Sequence, residues 1–526
     1  MGKLKRDVGP SFVVFLIALP LSMGIAQASG VPPALGLITA VVGGLVVGLF
    51  GGAPLQISGP SAGLAVLILE MVHRFRTDED PYGLGTIAVI VILAGLLQAC
   101  AGFVKLGGFF RAVSPAVIRG MLTGIGIIII AKQFHVMIDD DVQGSALHAL
   151  IKIPEGIVKA FTVEGDRYHY VAASVGLATL ITIVAWERFR PAKLRAVPGP
   201  LAGVLVAVVG TAIVQAATDV NIVSVQVGES FAGYISLPSA SSLSLLESSA
   251  VWTSALALAF VASAETLLCA TAVSRMHTGQ RTNYDRELAA QGIANTLCGV
   301  LGTLPVTGVI SRSTANVQAG ATTRWSSVMQ ATWIFLFVVF LPGTLAYIPQ
   351  SALAAILIYV GFKLVDVDAV RTMAAYGRPV LAIFAATAIG VVVIDLLSGI
   401  ILGFVLSTAR LVYSLAHLDI EREEAGNRID LHFQGSATFV AIPRLAKALE
   451  DIPAGTELHV HVEELDFIDH ACLDLLTAFE KRHQETGGRV VLEWHSLMSR
   501  YVKGGVRAAD RASRVPQPPG SRSDRA

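Results

Sequence analysis

Leu304-Pro305-Val306-Thr307-Gly308-Val309-Ile310-Ser311-Arg312-Ser313 is an apolar run broken first by Pro and Gly, then by hydroxyls and a cation, inside a chain of membrane-grade sequence. A second break, Ile57-Ser58-Gly59-Pro60-Ser61-Ala62-Gly63, occupies the corresponding part of the first half. Backbone that leaves helical pairing at membrane depth is tolerated only where it is buried in protein or lines a cavity. Interruptions at matching positions of two halves are the pattern of a carrier that binds its substrate between two facing half-helices. Each half-helix start offers free N–H groups and the positive end of a dipole, so the gap between two of them attracts an anion.

The rest of the chain fits that reading. Of 526 residues, 53% are hydrophobic and 15% charged, and mean hydropathy is +0.65; a soluble domain carries about 25% charged residues. A formal net charge of +0 gives no pointer to nucleic acid or to an acidic partner. Cys100, Cys269, Cys298 and Cys472 are scattered without a C-x-x-C pair, which excludes a disulfide framework and a zinc site of that type. Lys3, Lys5 and Arg6 precede an apolar run from Phe12 that continues past Pro20 to Ala28 with no cleavage site, so it reads as a first membrane span rather than a leader.

Stretches of the length a bilayer requires give about fourteen spans, near 12–29, 33–50, 56–73, 84–104, 112–134, 169–187, 199–217, 250–274, 287–303, 308–320, 326–342, 347–363, 379–397 and 399–416. The third and tenth are the interrupted ones. With a cytoplasmic N-terminus, the inner loops carry Lys105 and Arg111, then Arg188, Arg190, Lys193 and Arg195, then Arg275, Arg281 and Arg286, then Arg324, and finally Lys363, Arg371 and Arg378. The outer connections 29–33, 218–249, 303–308, 342–347 and 397–399 have no Lys or Arg; Arg74 and Arg76 beside acids, and the mixed loop 135–168, are the exceptions. This positive-inside pattern places both termini in the cytoplasm of a multi-pass inner (plasma) membrane protein. Pro115 opens a Gly-rich helix ending at Lys132 and Pro349 opens another ending at Lys363, each two spans after its break, which supports an inverted repeat.

After residue 416 the composition changes. Residues 417–427 read as a charged linker. The stretch 428–503 alternates β-like runs (Ile429–Phe433, Phe439–Ala441, Glu457–Val462, Arg489–Glu493) with helical patterns (Arg444–Asp451, Ala471–His483), as in a small soluble α/β domain. Residues 504–526 are rich in Arg, Pro, Ser and Gly and read as a disordered tail with an attraction to anionic headgroups.

Three residues are candidate anion contacts: Ser61 after the first break, and Ser311 and Arg312 after the second. A Ser hydroxyl and helix-start N–H groups contact an anion directly, and a guanidinium raises the local positive potential. Gly59, Pro60 and Gly308 shape the backbone. Glu265 lies near the centre of the span 250–274 among Ala262, Ser263 and Ala264; a carboxylate at that depth faces a cavity, a cation or a proton path. Glu70, toward the outer end of its span, reads as interfacial. His459, His461, His470 and Cys472 lack a recurring ligand spacing and read as surface or packing residues, with no metal site. No nucleophile elbow, phosphate loop or H-E-x-x-H is present, so the chain does not read as an enzyme.

On these residues the chain resembles the SulP family of anion transporters over nearly its full length. The resemblance runs through Leu19-Pro20, Ser58-Gly59-Pro60-Ser61-Ala62-Gly63, Glu265-Thr266-Leu267-Leu268, Asn283-Tyr284-Asp285-Arg286-Glu287-Leu288, Gln291-Gly292-Ile293-Ala294-Asn295 and Ser311-Arg312-Ser313. It ends in a STAS-like domain around Leu465-Asp466-Phe467-Ile468-Asp469. The resemblance implies an α-helical polytopic membrane protein of seven plus seven spans as an inverted repeat, with a core domain moving against a gate domain. It further implies a cytoplasmic α/β STAS domain and a homodimer. It puts the anion between the third and tenth spans, on Ser61, the backbone of Val309 and Ile310, and Ser311, with Arg312 behind, and makes Glu265 the cation- or proton-coupling carboxylate.

Two departures refine this expectation. Cys269, one turn after Glu265, stands where some sodium-dependent relatives have Thr; a thiol is a poorer ligand than a hydroxyl for a hard cation, which favours H⁺ over Na⁺ with no cofactor. His470-Ala471 stands where regulatory STAS domains have a phosphorylatable Ser. The expected function is secondary active transport of bicarbonate or sulfate across the cytoplasmic membrane by alternating access. The alternatives are a passive anion channel or exchanger, or a C4-dicarboxylate or nucleobase carrier on the same architecture.

Overall fold

A computed structural model describes residues 2–492 except 79, 111–113, 141, 143, 165–166, 192–193, 195–196, 219, 221, 226–230, 236, 238–239 and 366. The predicted tail 504–526, residues 493–503 of the α/β domain and the loop cations Arg111, Lys193 and Arg195 lie outside the described residues. The chain parts into two compact units, Met1–Phe404 and Val405–Ala526.

The first unit is helical. It opens with α1 (Gly2–Ala28), α2 (Pro33–Val42), a π-helical turn at Gly43–Val47 and α3 (Gly48–Phe50). The first break follows as β1 (Ser58–Gly59), then α4 (Ala62–Phe75), α5 (Leu84–Phe103), α6 (Gly107–Phe110) and α7 (Pro115–Met137). Short helices α8 (Ala146–Ile151) and α9 (Ile153–Lys159) and the strands β2 (Val163–Glu164) and β3 (Arg167–Tyr168) lead to α10 (His169–Phe189), α11 (Gly199–Ala217) and α12 (Ser249–Ser274). After α13 (Tyr284–Val300) comes the second break, β4 (Thr307–Gly308), then α14 (Ile310–Gln318), α15 (Trp325–Phe340), α16 (Gln350–Leu364), α17 (Val367–Ala375), α18 (Arg378–Val393) and α19 (Leu396–Ala416), whose residues from Val405 on fall in the second unit.

Eight helices among the described residues are long and apolar enough to cross a membrane, and α15 and α18 are shorter apolar ones. The helices that follow the breaks are too short to cross a membrane alone, α4 with 14 residues and α14 with 9, because each starts only where the extended backbone ends. Packing divides the helices into groups: α5 lies along α13 and α12, while α7 lies along α16 and α18, and α10 along α11 and α16. The α5–α13 seam is set by glycine. A Cβ at Gly292 would lie 2.2 Å from the Ala99 backbone nitrogen, and one at Gly95 2.4 Å from that of Thr296, so the two backbones touch and only Gly fits there.

The second unit holds β5 (Leu418–Ala425), β6 (Arg428–Ala437), α20 (Ile442–Glu450), β7 (Glu457–His461), β8 (Leu465–Ile468), α21 (His470–Glu485) and β9 (Arg489–Leu492). The sheet order is β5-β6-β7-β9, with β8 also paired to β6. Leu431, Phe433, Leu458, Val460, Leu445 and Leu476 are among the residues of its single apolar core. The stretch 417–427 is therefore no linker: its charged residues form an edge strand, antiparallel to β6 from Leu418↔Gly435 to Ala425↔Arg428. Beyond Leu418 both faces of β5 are largely exposed, so no apolar alternation marked it in the sequence. Phe439–Ala441, read as a strand, is one helical turn, and β8 lies in the Leu465-Asp466-Phe467-Ile468-Asp469 stretch that carries the STAS resemblance. On the sheet, His461 reaches Asp430 at 2.8 Å and stacks on His432 at 4.4 Å between ring centroids.

Candidate functional site

The two breaks meet. β1 and β4 pair antiparallel, Ser58 opposite Gly308 and Gly59 opposite Thr307. The pairing is extended by Val309 N–H donating to Ile57 O at 2.9 Å and by Ile57 N–H donating to Ser313 Oγ at 2.9 Å. Extended backbone at this depth is thus satisfied by its counterpart, and α4 and α14 start directly after it.

Buried polar side chains hold the pair in place. Glu287, Gln291 and Asn295 recur every four residues along one face of α13. Glu287 accepts from Gly52 N–H (2.8 Å), Ala53 N–H (2.9 Å) and Gln56 Nε2 (2.8 Å) ahead of β1. Gln291 donates to Ser58 Oγ at 2.7 Å. Asn295 pairs with the Val306 backbone and also donates to Gln98 Oε1 at 2.6 Å. Thr39 donates to Leu304 O at 3.1 Å, and Gly308 N–H donates to Thr266 Oγ1 at 3.2 Å. Sequence reasoning did not assign these supporting roles; the four-residue spacing of carboxylate and amides on an apolar helix is the signal that could have found the α13 set.

The predicted site residues gather at this pair. Ser61 is buried, and as the N-cap of α4 it accepts from Gly63 N–H at 3.0 Å. Its hydroxyl donates to Glu265 Oε1. Glu265, on α12, is half-buried, and its Oε2 has no hydrogen-bond partner among the described residues. A Cβ at Gly63 would lie 2.6 Å from Glu265 Oε1, so that glycine admits the carboxylate. Thr307 of β4 lies beside the same carboxyl.

At the second break the arrangement differs from the expectation in one respect. The Val309 N–H, anticipated as an anion donor, is committed to Ile57 O, because Val309 continues the strand pairing before it caps α14. The free donors of the first turn of α14 are therefore the N–H groups of Ile310, Ser311 and Arg312. Ile310 and Ser311 are exposed, while Arg312 is fully buried. Among the described residues, none of the guanidinium nitrogens of Arg312 has a hydrogen-bond partner. Its Nη1 lies against Gly59, where a Cβ would come within 2.8 Å. Gly308 is equally constrained: a Cβ there would lie 2.2 Å from Gln56 Nε2. Cys269 Sγ lies 3.7 Å from Ser313 Oγ, one turn along α12 from Glu265. Glu70, read as interfacial, is half-buried and lies beside Asp395, the Leu396 N–H and Lys132.

The site thus combines two helix starts, a buried cation without a partner and a carboxylate bound to a hydroxyl. A profile of the sulfate permease family matches residues 4–387 of this architecture. The chain belongs to the sulfate permease family. Its members are transporters, not enzymes. Within the family the chain is 27% identical over 410 residues to YvdB of Bacillus subtilis (strain 168), a protein named for sulfate transport, covering 77% of this chain and 73% of that one. It is 27% identical over 369 residues to the bicarbonate transporter BicA of a Picosynechococcus species, covering 69% and 62%. The solved transmembrane domain of a cyanobacterial BicA superposes with a TM-score of 0.62 at 25% identity, over 76% of this chain and 97% of that domain. The murine Slc26a9 anion transporter shares the fold with a TM-score of 0.74 at 15% identity, over 93% and 85%. The family member described here is thus a multi-pass membrane protein with a transporter fold.

Proposed function

We propose that this chain is a secondary active transporter for a small inorganic oxyanion, bicarbonate or sulfate, bound between the starts of α4 and α14. The observation that carries this is Arg312. A fully buried guanidinium without a partner is strongly unfavourable, and it lies in the first turn of α14 against the first break. An anion at the N–H groups of Ile310 and Ser311 would supply the missing negative charge.

In this reading the helices make fourteen crossings as two inverted sets of seven, in a core and a gate domain that alternate access to the site. Both termini lie in the cytoplasm, the second unit is a STAS domain, and the protein works as a homodimer. Glu265 takes the coupling ion. H⁺ is favoured over Na⁺, since Cys269 places sulfur where a hydroxyl oxygen would serve a hard cation. The test is uptake of labelled sulfate, bicarbonate and fumarate into proteoliposomes under imposed pH or Na⁺ gradients. Accumulation of sulfate or bicarbonate driven by ΔpH is the expected result. Transport of fumarate alone, or purely passive fluxes, would overturn the reading.

A further inference from the structure

Ser61 meets two demands with one hydroxyl. Its oxygen accepts from Gly63 N–H at 3.0 Å, and its proton is donated to Glu265 Oε1. A serine hydroxyl has one donor and two acceptor positions, and an ionised carboxylate only accepts. While Glu265 is ionised, the single donor of Ser61 is therefore spent on it and cannot serve an anion.

Protonation of Glu265 reverses the direction of that bond. One proton from water adds to the carboxylate, and the resulting O–H donates to the second lone pair of Ser61 Oγ. Gly63 N–H keeps the first lone pair, so the cap of α4 survives. The Ser61 O–H is then free to rotate away from Glu265. We infer that Ser61 converts protonation of Glu265 into anion affinity, withholding a hydrogen-bond donor when the carboxylate is ionised and presenting it when the acid is formed. Proton and anion then bind together and leave together, which is symport by exchange of one hydrogen bond. This inference rests on the reading that Glu265 takes the coupling proton and that the anion sits between α4 and α14.

The hydroxyl beside this carboxyl other than that of Ser61 is that of Thr307 on β4. Cys269 lies one turn along α12 from Glu265, and among the elements packed against α12, α13 carries Asp285, Arg286 and Glu287, α14 carries Arg312, and the 3-10 turn Ala240–Glu247 carries Glu247. Glu287 is held by backbone N–H groups and amides. β1 and β4 bring only hydroxyls and backbone, and Cys100, the one ionisable side chain of α5, is exposed. The ionisable residues of α4 are Glu70, His73 and Arg74, in its second half, and α6 has none.

The test is binding of sulfate, and of bicarbonate with its free concentration corrected for conversion to CO2, to the purified full-length protein across the acid-to-neutral pH range. The parent should bind more tightly as pH falls, and Glu265→Gln should bind with no pH dependence. Ser61→Ala should bind about five- to tenfold more weakly than the parent at acid pH, the effect of one hydrogen bond, and should lose most of the pH dependence. Ser61→Thr keeps the hydroxyl and should keep the slope. Ser61→Asn still caps α4 and carries two amide donors, so it should fold and bind with a flattened slope; it serves if the alanine variant fails to fold. If Ser61→Ala or Ser61→Asn keeps the parent's slope, Glu265 acts through space alone and the role of Ser61 falls while the coupling reading stands. If Glu265→Gln itself keeps the slope, or the parent binds neither anion, the underlying reading fails.

Discussion

Asn295 pairs with the backbone of Val306 in both directions, donating from Nδ2 to the carbonyl at 3.1 Å and accepting the N–H at Oδ1 at 2.6 Å. A side-chain amide thus replaces a strand at the entry to the second break. It lets Pro305 and Val306 run extended beside a helix without leaving an unpaired backbone group in an apolar interior.

Replacing Asn295 with Ala would orphan both backbone groups of Val306 and one acceptor on Gln98. An unsatisfied buried polar group costs about 1–3 kcal/mol, so Asn295→Ala should lower the unfolding temperature clearly in a thermal melt. It should also reduce transport, because β4 carries Thr307 and Gly308 into the site. A variant as stable and active as the parent would show that the break holds its shape without this pairing.

Arg312→Ala should behave in the opposite way toward stability. The guanidinium is fully buried and lacks a partner among the described residues, so its removal takes away a cost rather than a bond. The variant should melt at or above the parent's temperature without anion, yet lose the added stability that sulfate or bicarbonate confers on the parent. Retention of the parent's anion affinity would sink the role assigned to Arg312.

How much of this was legible in the sequence depends on which physical signal each feature leaves. The breaks were visible because Pro, Gly and hydroxyls interrupt an apolar run, and Glu265 was visible because an isolated carboxylate in such a run is rare. That Ser58–Gly59 and Thr307–Gly308 form one antiparallel pair was not visible, since two-residue strands have no period to read. The same pairing takes the Val309 N–H, so the donor set moved by one residue to Ile310, Ser311 and Arg312. Gln98 drew no attention because a single amide on an apolar helix carries no local mark; its meaning lies in its contact with Asn295, 197 residues along the chain. The edge strand β5 was missed because its charged residues have no buried face to alternate against.

Asp140, beyond the end of α7, provides a pH test. Burial by itself would raise its pKa, but a hydrogen bond from His135 Nδ1 at 2.9 Å and one from Lys159 Nζ at 3.1 Å outweigh this and hold it below the usual aspartate value. A carboxylate with a depressed folded-state pKa contributes stability that is present above its unfolded pKa, about 3.9, and is lost as pH falls through the folded value. Asp140→Asn should therefore melt below the parent near neutral pH. The difference should shrink in strongly acidic buffer. A difference that stays constant with pH would mean the lost contribution is packing rather than charge.

Glu265→Gln is the sharpest test of coupling. The amide keeps the shape of the side chain and can donate to Ser61 Oγ as the protonated acid would, but it cannot take up or release a proton. Substrate binding should therefore persist, as should exchange of internal for external anion, which needs no net proton movement. Accumulation against a gradient requires that the carboxyl load a proton on one side and release it on the other, and this should disappear. In proteoliposomes with only ΔpH imposed, the parent should concentrate labelled anion and the variant should stop at equilibrium, while counterflow rates stay comparable. Uphill accumulation by the variant under ΔpH would remove Glu265 from the coupling path. Uphill accumulation by the parent under a sodium gradient alone would overturn the proton assignment, and Cys269 would then have to sit beside a sodium site built from other oxygens.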